Sequence, residues 1–324
     1  MAEMRFGQAI GAAIRDAMAA DETVVLFGED IAAPGGPFGV TRGLKDQFGE
    51  VRVRDTPISE NVIGGAAVGA ALSGLKPIVE IMFMDFTTLA MDALVNQAAK
   101  AHFMFGGQAP VPMVLRTQHG GGLNAGPQHS QCLEAWFAHI PGLKVVCPHN
   151  PADAYALLRA AILDPNPVVF VENKTLYAMK GEVPDDPGPG RLGVAQTLRS
   201  GGDATIVTYG AAAHTSLAAA ETLAGEGIEV EVIDLCTLQP WDEAAVLASL
   251  ARTHRLVVAH EAVEAFGVGA EVAARMADVG FEELDGPIAR VGAPFMPVPF
   301  AKSLEKAYLP KPEDVAGAVR RVME

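Results

Sequence analysis

The chain has 324 residues, of which 39 are Asp or Glu and 24 are Lys or Arg, so its formal charge is −15. This acid excess argues against a nucleic-acid-binding protein and against docking on anionic membranes, because both need a basic surface. No run of about 20 apolar residues is present to span a bilayer. The N-terminal residues lack a basic region followed by an apolar core, and the three cysteines have neither disulfide nor zinc spacing. We therefore expect a soluble, cytoplasmic protein, with two domains at this length.

Strand and helix patterns alternate along the first 190 residues. Apolar residues at spacings near four predict an amphipathic helix over 5–20. Short apolar runs predict strands, and the segments between them have helix patterns of a length that connects parallel strands. This alternation predicts a parallel sheet with helices on both faces. The predicted strands are 23–28, 51–54, 76–81, 111–116, 143–147 and 167–172, and the helices between them are 59–72, 85–103, 131–138 and 151–163.

Residues 173–203 interrupt this alternation. They are rich in Pro, Gly and Asp, which favours a linker. We therefore predict an α/β protein with a first domain over 1–190, whose linker starts at about 173, and a second domain over 200–324. In the second domain, strands are predicted at 204–210, 228–234, 255–261 and 287–292, and helices at 212–225, from 242, at 267–279 and after 312.

Charge is scarce in one long segment. Between Asn61 and Leu133 only six of 73 residues are charged. A solvated surface would carry more charge, so the segment is either a domain core or a face that contacts another chain. The composition leaves both interpretations open.

The segment DTPISEN (55–61) lies at a predicted strand-to-helix junction. Pro57 disfavours helix at Thr56, and Ser59 is a suitable N-cap for a helix that starts near Glu60. Glu60 has two interpretations. It is either a first-turn acid that the helix dipole favours, or a carboxyl group directed at a ligand beyond the strand ends.

Two further segments are candidates for chemistry. In EIMFMDF (80–86), the apolar side chains either fill a core or form a slot in which Phe86 stacks on a flat heterocycle. The segment 116–131 is a long Gly-rich loop by pattern, and such loops are usually functional or mobile. Its two histidines, His119 and His129, could serve as acid or base, or could be capping or solvent-facing residues.

Together these segments resemble the beta subunit of the thiamine-diphosphate-dependent decarboxylating component of 2-oxo acid dehydrogenase complexes. The resemblance covers essentially the whole chain, and DTPISE followed by QHSQ at this spacing is its most specific part. It implies a pyrimidine-binding domain of the transketolase-like superfamily, followed by a transketolase C-terminal-like domain. The segments that carry it are GED (28–30), RVRDTPISEN (52–61), GLKPIVEIMFMDF (74–86), QHSQCLEAWFAHIPGLKVVCP (128–148), DPNPVVFVENKTLY (164–177) and VIDLCTLQPWD (232–242).

The resemblance implies roles for individual residues. Glu60 matches the family glutamate that hydrogen-bonds the aminopyrimidine ring and so activates the cofactor as a base. Met82 and Phe86 match positions that line this ring, and Glu29 is a further cofactor-binding position. His129 matches the histidine implicated in acyl transfer to lipoamide. A structural potassium ion in related beta subunits implies ligands, mostly backbone carbonyls, at Val111, Met113, Ala161, Asp164 and Asn166.

The resemblance also implies partners. The sequence has no Gly-Asp-Gly, the stretch that holds magnesium and diphosphate in thiamine enzymes. By the resemblance an alpha subunit supplies it, in a complex of two alpha and two beta chains, and a lipoyl-bearing acyltransferase core accepts the acyl group. QHSQCLEAWF favours a pyruvate or acetoin type over a branched-chain type. Half of a split transketolase and a non-catalytic assembly subunit remain alternatives. Tyr155, Ala156 and His119 depart from the family pattern and leave substrate choice and partner contacts open.

Overall fold

A computed structural model describes residues 1–185 and 187–324. The chain divides into two compact units. The first comprises Met1–His119 and Trp136–Leu192, and the second comprises Gly120–Ala135 and Gly193–Glu324. Both units are built from strands alternating with helices, as the sequence predicts.

Strands and helices follow the predicted order over most of the chain. The strands are β1 (Ala2–Arg5), β2 (Val24–Gly28), β3 (Val53–Asp55), β4 (Lys76–Ile81), β5 (Val114–His119), β6 (Lys144–Val146), β7 (Val168–Asn173), β8 (Lys180–Val183), β9 (Gln196–Arg199), β10 (Ala204–Thr208), β11 (Val230–Asp234), β12 (Thr237–Gln239), β13 (Leu256–Val263) and β14 (Ala289–Ala293). The α-helices are α1 (Phe6–Ala20), α2 (Leu44–Phe48), α3 (Glu60–Leu72), α4 (Ala99–Met104), α5 (Glu134–Ala138), α6 (Pro151–Leu163), α7 (Ala212–Ala224), α8 (Glu243–Thr253), α9 (Val268–Val279), α10 (Lys302–Tyr308) and α11 (Pro312–Met323).

The first unit is organised around a parallel sheet. Six of its strands lie in the order β6-β7-β5-β4-β2-β3, and each neighbouring pair is parallel. Helix α1 buries Phe6, Ile10, Ile14 and Met18, which confirms the predicted apolar face. Because parallel strands run the same way, the carboxyl ends of β4, β2 and β3 meet at one edge of the sheet. That edge is where the candidate residues lie.

The second unit has its own sheet, in the order β14-β13-β10-β11-β9. Its strands pair in parallel except for β9, which is antiparallel to β11. Helices α7 and α11 bury Leu223 and Val319 in the core that covers this sheet. No helix in the described part of the chain is long and apolar enough to cross a membrane.

Some predicted elements differ from the structure. Residues 173–203, predicted as a linker, contain β8, which pairs with β1, and β9, which joins the second sheet. These strands are too short and too exposed to show an apolar period. The helix predicted over 85–103 is instead a 3-10 helix, Met84–Ala90, then a π-helix, Asp92–Ala98, and then α4. Such irregular helices are frequent at functional sites, and the apolar spacing does not distinguish them from an α-helix.

Candidate active site

Three neighbouring strand ends of the first unit carry the candidate residues. The register pairs Gly28, the last residue of β2, with Asp55 of β3 and Glu80 of β4. A Cβ atom at position 28 would lie 2.7 Å from the Glu80 carbonyl oxygen, so only glycine fits where these strands approach. Glu29 follows β2 directly and Glu60 opens the helix after β3. The sequence-predicted carboxylates are therefore neighbours at the sheet edge.

Glu60 is the first residue of α3 and is only 7 % exposed. Ser59 occupies the predicted N-cap position, but its side chain makes no cap bond with any described residue, so only the position was predicted correctly. Free backbone N–H groups at a helix start favour a negative group there, which fits an acid at this position. An exposed acid at the start of a helix would interact with the helix dipole equally well. Helix stability therefore does not explain why this carboxyl group is buried at the end of the sheet.

Glu29 and Thr56 carry polar atoms without a hydrogen-bond partner in the described chain. Both Glu29 Oε1 and Thr56 Oγ1 are buried and unpaired there. Burial raises the pKa of Glu29, and the charges of Glu60 and Asp30 raise it further. Buried polar atoms are normally hydrogen-bonded, so unpaired ones beside Glu60 indicate a place for a polar ligand.

The turn after β4 brings aromatic side chains to the same edge. Met82 and Phe86 are half-buried, and Phe86 meets Phe83 edge to face, with ring centroids 6.5 Å apart. The Lys174 ammonium lies 5.4 Å from the centroid of the Phe83 ring. An apolar turn next to buried carboxyl groups suits a flat heterocycle that also has ring nitrogens. The residues present therefore fit the aminopyrimidine of thiamine diphosphate.

A fully buried charge network beneath this edge was missed from the sequence. Arg116 donates to Glu172 through Nε and Nη2, at 2.7 and 2.8 Å, and to Glu80 through Nη1 at 2.7 Å. Burial alone would lower the pKa of Arg116, but the charges of Glu172 and Glu80 outweigh burial and raise it. Charged residues inside otherwise apolar predicted strands were the available signal, because such charges are buried only when paired.

His129 lies in the segment 120–135, which belongs to the second unit. It is half-buried. Two acids hold the loop before it. Gly121 N–H donates to Glu261 Oε1 at 2.6 Å, and Asn124 donates to Glu305 Oε2 from its backbone N–H at 3.0 Å and from Nδ2 at 2.7 Å. The histidine therefore follows a loop that two carboxylates, one of them buried, fix in place.

The sequence pattern places His119 in a loop, but the structure shows that it is not a loop residue. It is the last residue of β5, is 2 % exposed and belongs to the first unit. Strand β5 runs past its predicted end because its pairing with β7 continues to His119 and Asn173. The His119 Nε2 atom lies 3.9 Å from Cys147 Sγ.

The fold brings together the two segments that hold the predicted potassium ligands. Val168 N–H donates to the Met113 carbonyl at 2.9 Å, which joins the residue before β5 to the first residue of β7, just after the turn that follows α6. The Lys144 ammonium already contacts the Asp164 carboxylate. A carbonyl oxygen has two lone pairs, so one that accepts a hydrogen bond can still bind a cation. A potassium site stays a prediction. Its positions are Val111, Met113, Ala161, Asp164 and Asn166.

Comparison with known proteins identifies both units. The model of the transketolase pyrimidine-binding domain matches residues 2–180, and that of the transketolase C-terminal domain matches 193–315. The beta subunit of the acetoin:2,6-dichlorophenolindophenol oxidoreductase of Bacillus subtilis is 47% identical, over 97% of this chain and 96% of its own length. The pyruvate dehydrogenase E1 component subunit beta of Rhizobium meliloti is 44% identical, over 99% of this chain and 70% of its own.

A solved structure shows the same fold. A split-gene transketolase, described as an inactive beta4 tetramer, has a TM-score of 0.79 at 23% identity, and the match covers 97% of this chain and 96% of that one. At this identity the likeness concerns the fold alone. The predicted fold class, a parallel-sheet pyrimidine-binding domain followed by a C-terminal α/β domain, is confirmed.

Proposed function

Since this chain belongs to the beta subunits of thiamine-diphosphate-dependent E1 components, we propose that it is the beta half of an enzyme that acts on pyruvate or acetoin and passes the acyl group to lipoamide. The single observation that carries this proposal is the buried Glu60 carboxyl group at the carboxyl end of the sheet, beside Glu29 with its unpaired Oε1. We propose that residues 1–190 form the first domain, which binds the cofactor, and that residues 200–324 form the second domain.

Glu60 would hydrogen-bond a ring nitrogen of the aminopyrimidine, and Met82 and Phe86 would hold the ring face. When bound, thiamine diphosphate supplies the nucleophilic carbon and the electron sink that the protein lacks. Glu29, whose pKa is raised by burial and then by the charge of Glu60, would be a further cofactor-binding group beside this carboxyl group. The protein thus positions the cofactor and controls one proton at the Glu60 carboxyl group.

An alpha chain would supply the rest of the site. This sequence has no Gly-Asp-Gly, so we assign magnesium and diphosphate binding to that partner. Support comes from large apolar side chains that the first unit leaves exposed in and around its charge-poor segment. Exposed apolar surface of this kind is typical of protein interfaces. These residues are Ile58 (83%), Val62 (60%), Leu89 (57%), Phe103 (88%), Met104 (70%) and Phe105 (56%).

His129 would assist transfer of the acyl group to a lipoyl arm on an acyltransferase core. Support comes from the fixed loop before it, since Glu261 and Glu305 restrict the segment that carries it. A positioned imidazole can donate or accept a proton near neutral pH. A cytoplasmic location belongs to the same proposal, and the three cysteines, which form no disulfide in the described chain, are consistent with a reducing compartment.

The test is coexpression with an alpha subunit of the same family from the same organism, followed by reduction of 2,6-dichlorophenolindophenol with pyruvate, a branched-chain 2-oxo acid or acetoin as substrate. Glu60→Gln should lower the rate about 100-fold or more. Glu271→Gln, which replaces an exposed first-turn acid of α9, is the matched control and should be fully active. Wild-type activity of Glu60→Gln would contradict the proposed mechanism. Turnover of sugar phosphates without dye reduction would support a split transketolase instead.

The potassium site has a separate test. The chain should melt at a higher temperature in KCl than in NaCl at equal ionic strength, because an ion that binds only the folded state stabilises it. Identical melting temperatures in the two salts would remove potassium from the proposal without affecting the thiamine site.

A further inference from the structure

Phe83 has a backbone conformation that residues with a side chain seldom adopt. Its φ is 67° and its ψ is 129°, at the start of the 3-10 helix Met84–Ala90. A positive φ costs free energy for a bulky L residue, and such a conformation persists only where the surroundings enforce it. The turn that Phe83 begins carries Met82 and Phe86, the two residues proposed to hold the aminopyrimidine ring.

A buried side chain from the neighbouring strand β5 binds the backbone of this turn. The Gln118 Oε1 atom accepts a hydrogen bond from the Phe83 N–H at 3.1 Å. Gln118 is fully buried at the end of β5, and its Nε2 donates to Glu80 Oε1 at 3.0 Å. Both ends of the amide are therefore engaged, which fixes its orientation.

The anchor behind Gln118 is rigid. Glu80 accepts from Arg116, which is itself clamped by Glu172, and all three side chains are buried. A charge-assisted network out of water leaves its members little freedom. The buried ion cluster is therefore connected, through the side-chain amide of Gln118, to Phe83, the strained residue of the turn.

We propose that Gln118 is a positioning residue for the thiamine cofactor, which it aligns through the Phe83 backbone without touching it. This inference rests on the proposed function. A neutral amide is suited to the position, because it donates to a carboxylate and accepts from an N–H at the same time. Methionine has a similar size and neither function, and a glutamate would place a second carboxylate against Glu80.

The test uses the complete alpha–beta complex and a titration with thiamine diphosphate in excess magnesium, followed by calorimetry. Gln118→Met should weaken cofactor binding about 10-fold. The matched control is Thr205→Val, which removes buried hydrogen bonds to Ser249 and Thr253 in the second unit and should leave cofactor affinity unchanged. The KM for thiamine diphosphate should rise in Gln118→Met while the KM for the substrate stays constant.

A double mutant distinguishes a positioning role of Gln118 from a general loosening of the protein structure. Glycine adopts positive φ at no steric cost, so Phe83→Gly should free the turn from its dependence on the amide. In that background, Gln118→Met should change cofactor affinity by no more than about 2-fold. An equal effect in both backgrounds would overturn the inference.

Amide hydrogen exchange of the wild-type complex covers the case in which Gln118→Met does not fold. The Phe83 amide should exchange slowly, and rapid exchange would also overturn the inference. If the wild-type complex bound no thiamine diphosphate at all, the proposed function itself would fail. If wild type and Gln118→Met bound it equally well, only the inference would fail.

Discussion

Replacing Arg116 by methionine should be among the most damaging single changes in the first unit. The guanidinium is completely buried and lies between Glu172, at 2.7 Å, and Glu80, at 2.7 Å. Its removal leaves two carboxylates in the core without their cation. Breaking a buried ion pair from one side costs about 3–5 kcal/mol, out of a total stability of about 5–15 kcal/mol. At about 2–4 °C per kcal/mol, the melting temperature should fall by about 6–20 °C.

The loss should depend on pH in a definite direction. Burial raises the pKa of Glu172 even with Arg116 present, and without the arginine the raised pKa has no opposing charge. A carboxyl group with a raised folded pKa destabilises the fold above its unfolded pKa, and protonation relieves that penalty. The deficit of Arg116→Met relative to wild type should therefore shrink as the pH falls from neutral to about 5.

Thermal unfolding followed by circular dichroism at the two pH values measures both effects. The matched control is Arg320→Met, because Arg320 also makes a bidentate pair, with Glu226, but on the surface. Exposed pairs contribute little, so the control should melt close to wild type. Equal losses in the two variants, or a deficit that grows on acidification, would refute the reasoning.

Three further changes test other parts of the structure by the same measurement. Glu29→Gln should raise the melting temperature at neutral pH, because burial raises the pKa of Glu29 and makes its ionised form costly. This gain in melting temperature should vanish near about pH 4. A gain that persists in acid would count against a buried charge. Gly142→Ala should cost more than about 1 kcal/mol, since φ is 102° and a Cβ would lie 2.0 Å from the Ala99 carbonyl oxygen. Gly74→Ala, with a positive φ but open space, is its control and should lose less. Asp242→Ala should cost about 1 kcal/mol, because Asp242 caps α8, and an unchanged melting temperature would contradict that role.

The alternation of strands and helices could be predicted because it is a local property. The apolar face of α1, the strand ending at Gly28 and the helix opened by Glu60 are each visible within about 15 residues, since burial on one face imposes a period. The family motifs around Glu60 and His129 are equally local. Their residue types and spacing are in the sequence before any contact forms.

Contacts between distant residues were decided only by the tertiary structure. Gln118 and Phe83 are 35 positions apart and Arg116 and Glu172 are 56 apart, so no period links them. His119 lies in a strand and not in the predicted loop, because β7, the strand that pairs with β5, extends that far. By itself the sequence determined which elements form and which residue types could do chemistry. The burial of these residues depends on how the sheet assembles, because burial and charge pairing are set by neighbours in space. The pKa of Glu29, the strain at Phe83 and the hydrogen bond between Gln118 and the Phe83 backbone depend on it in turn.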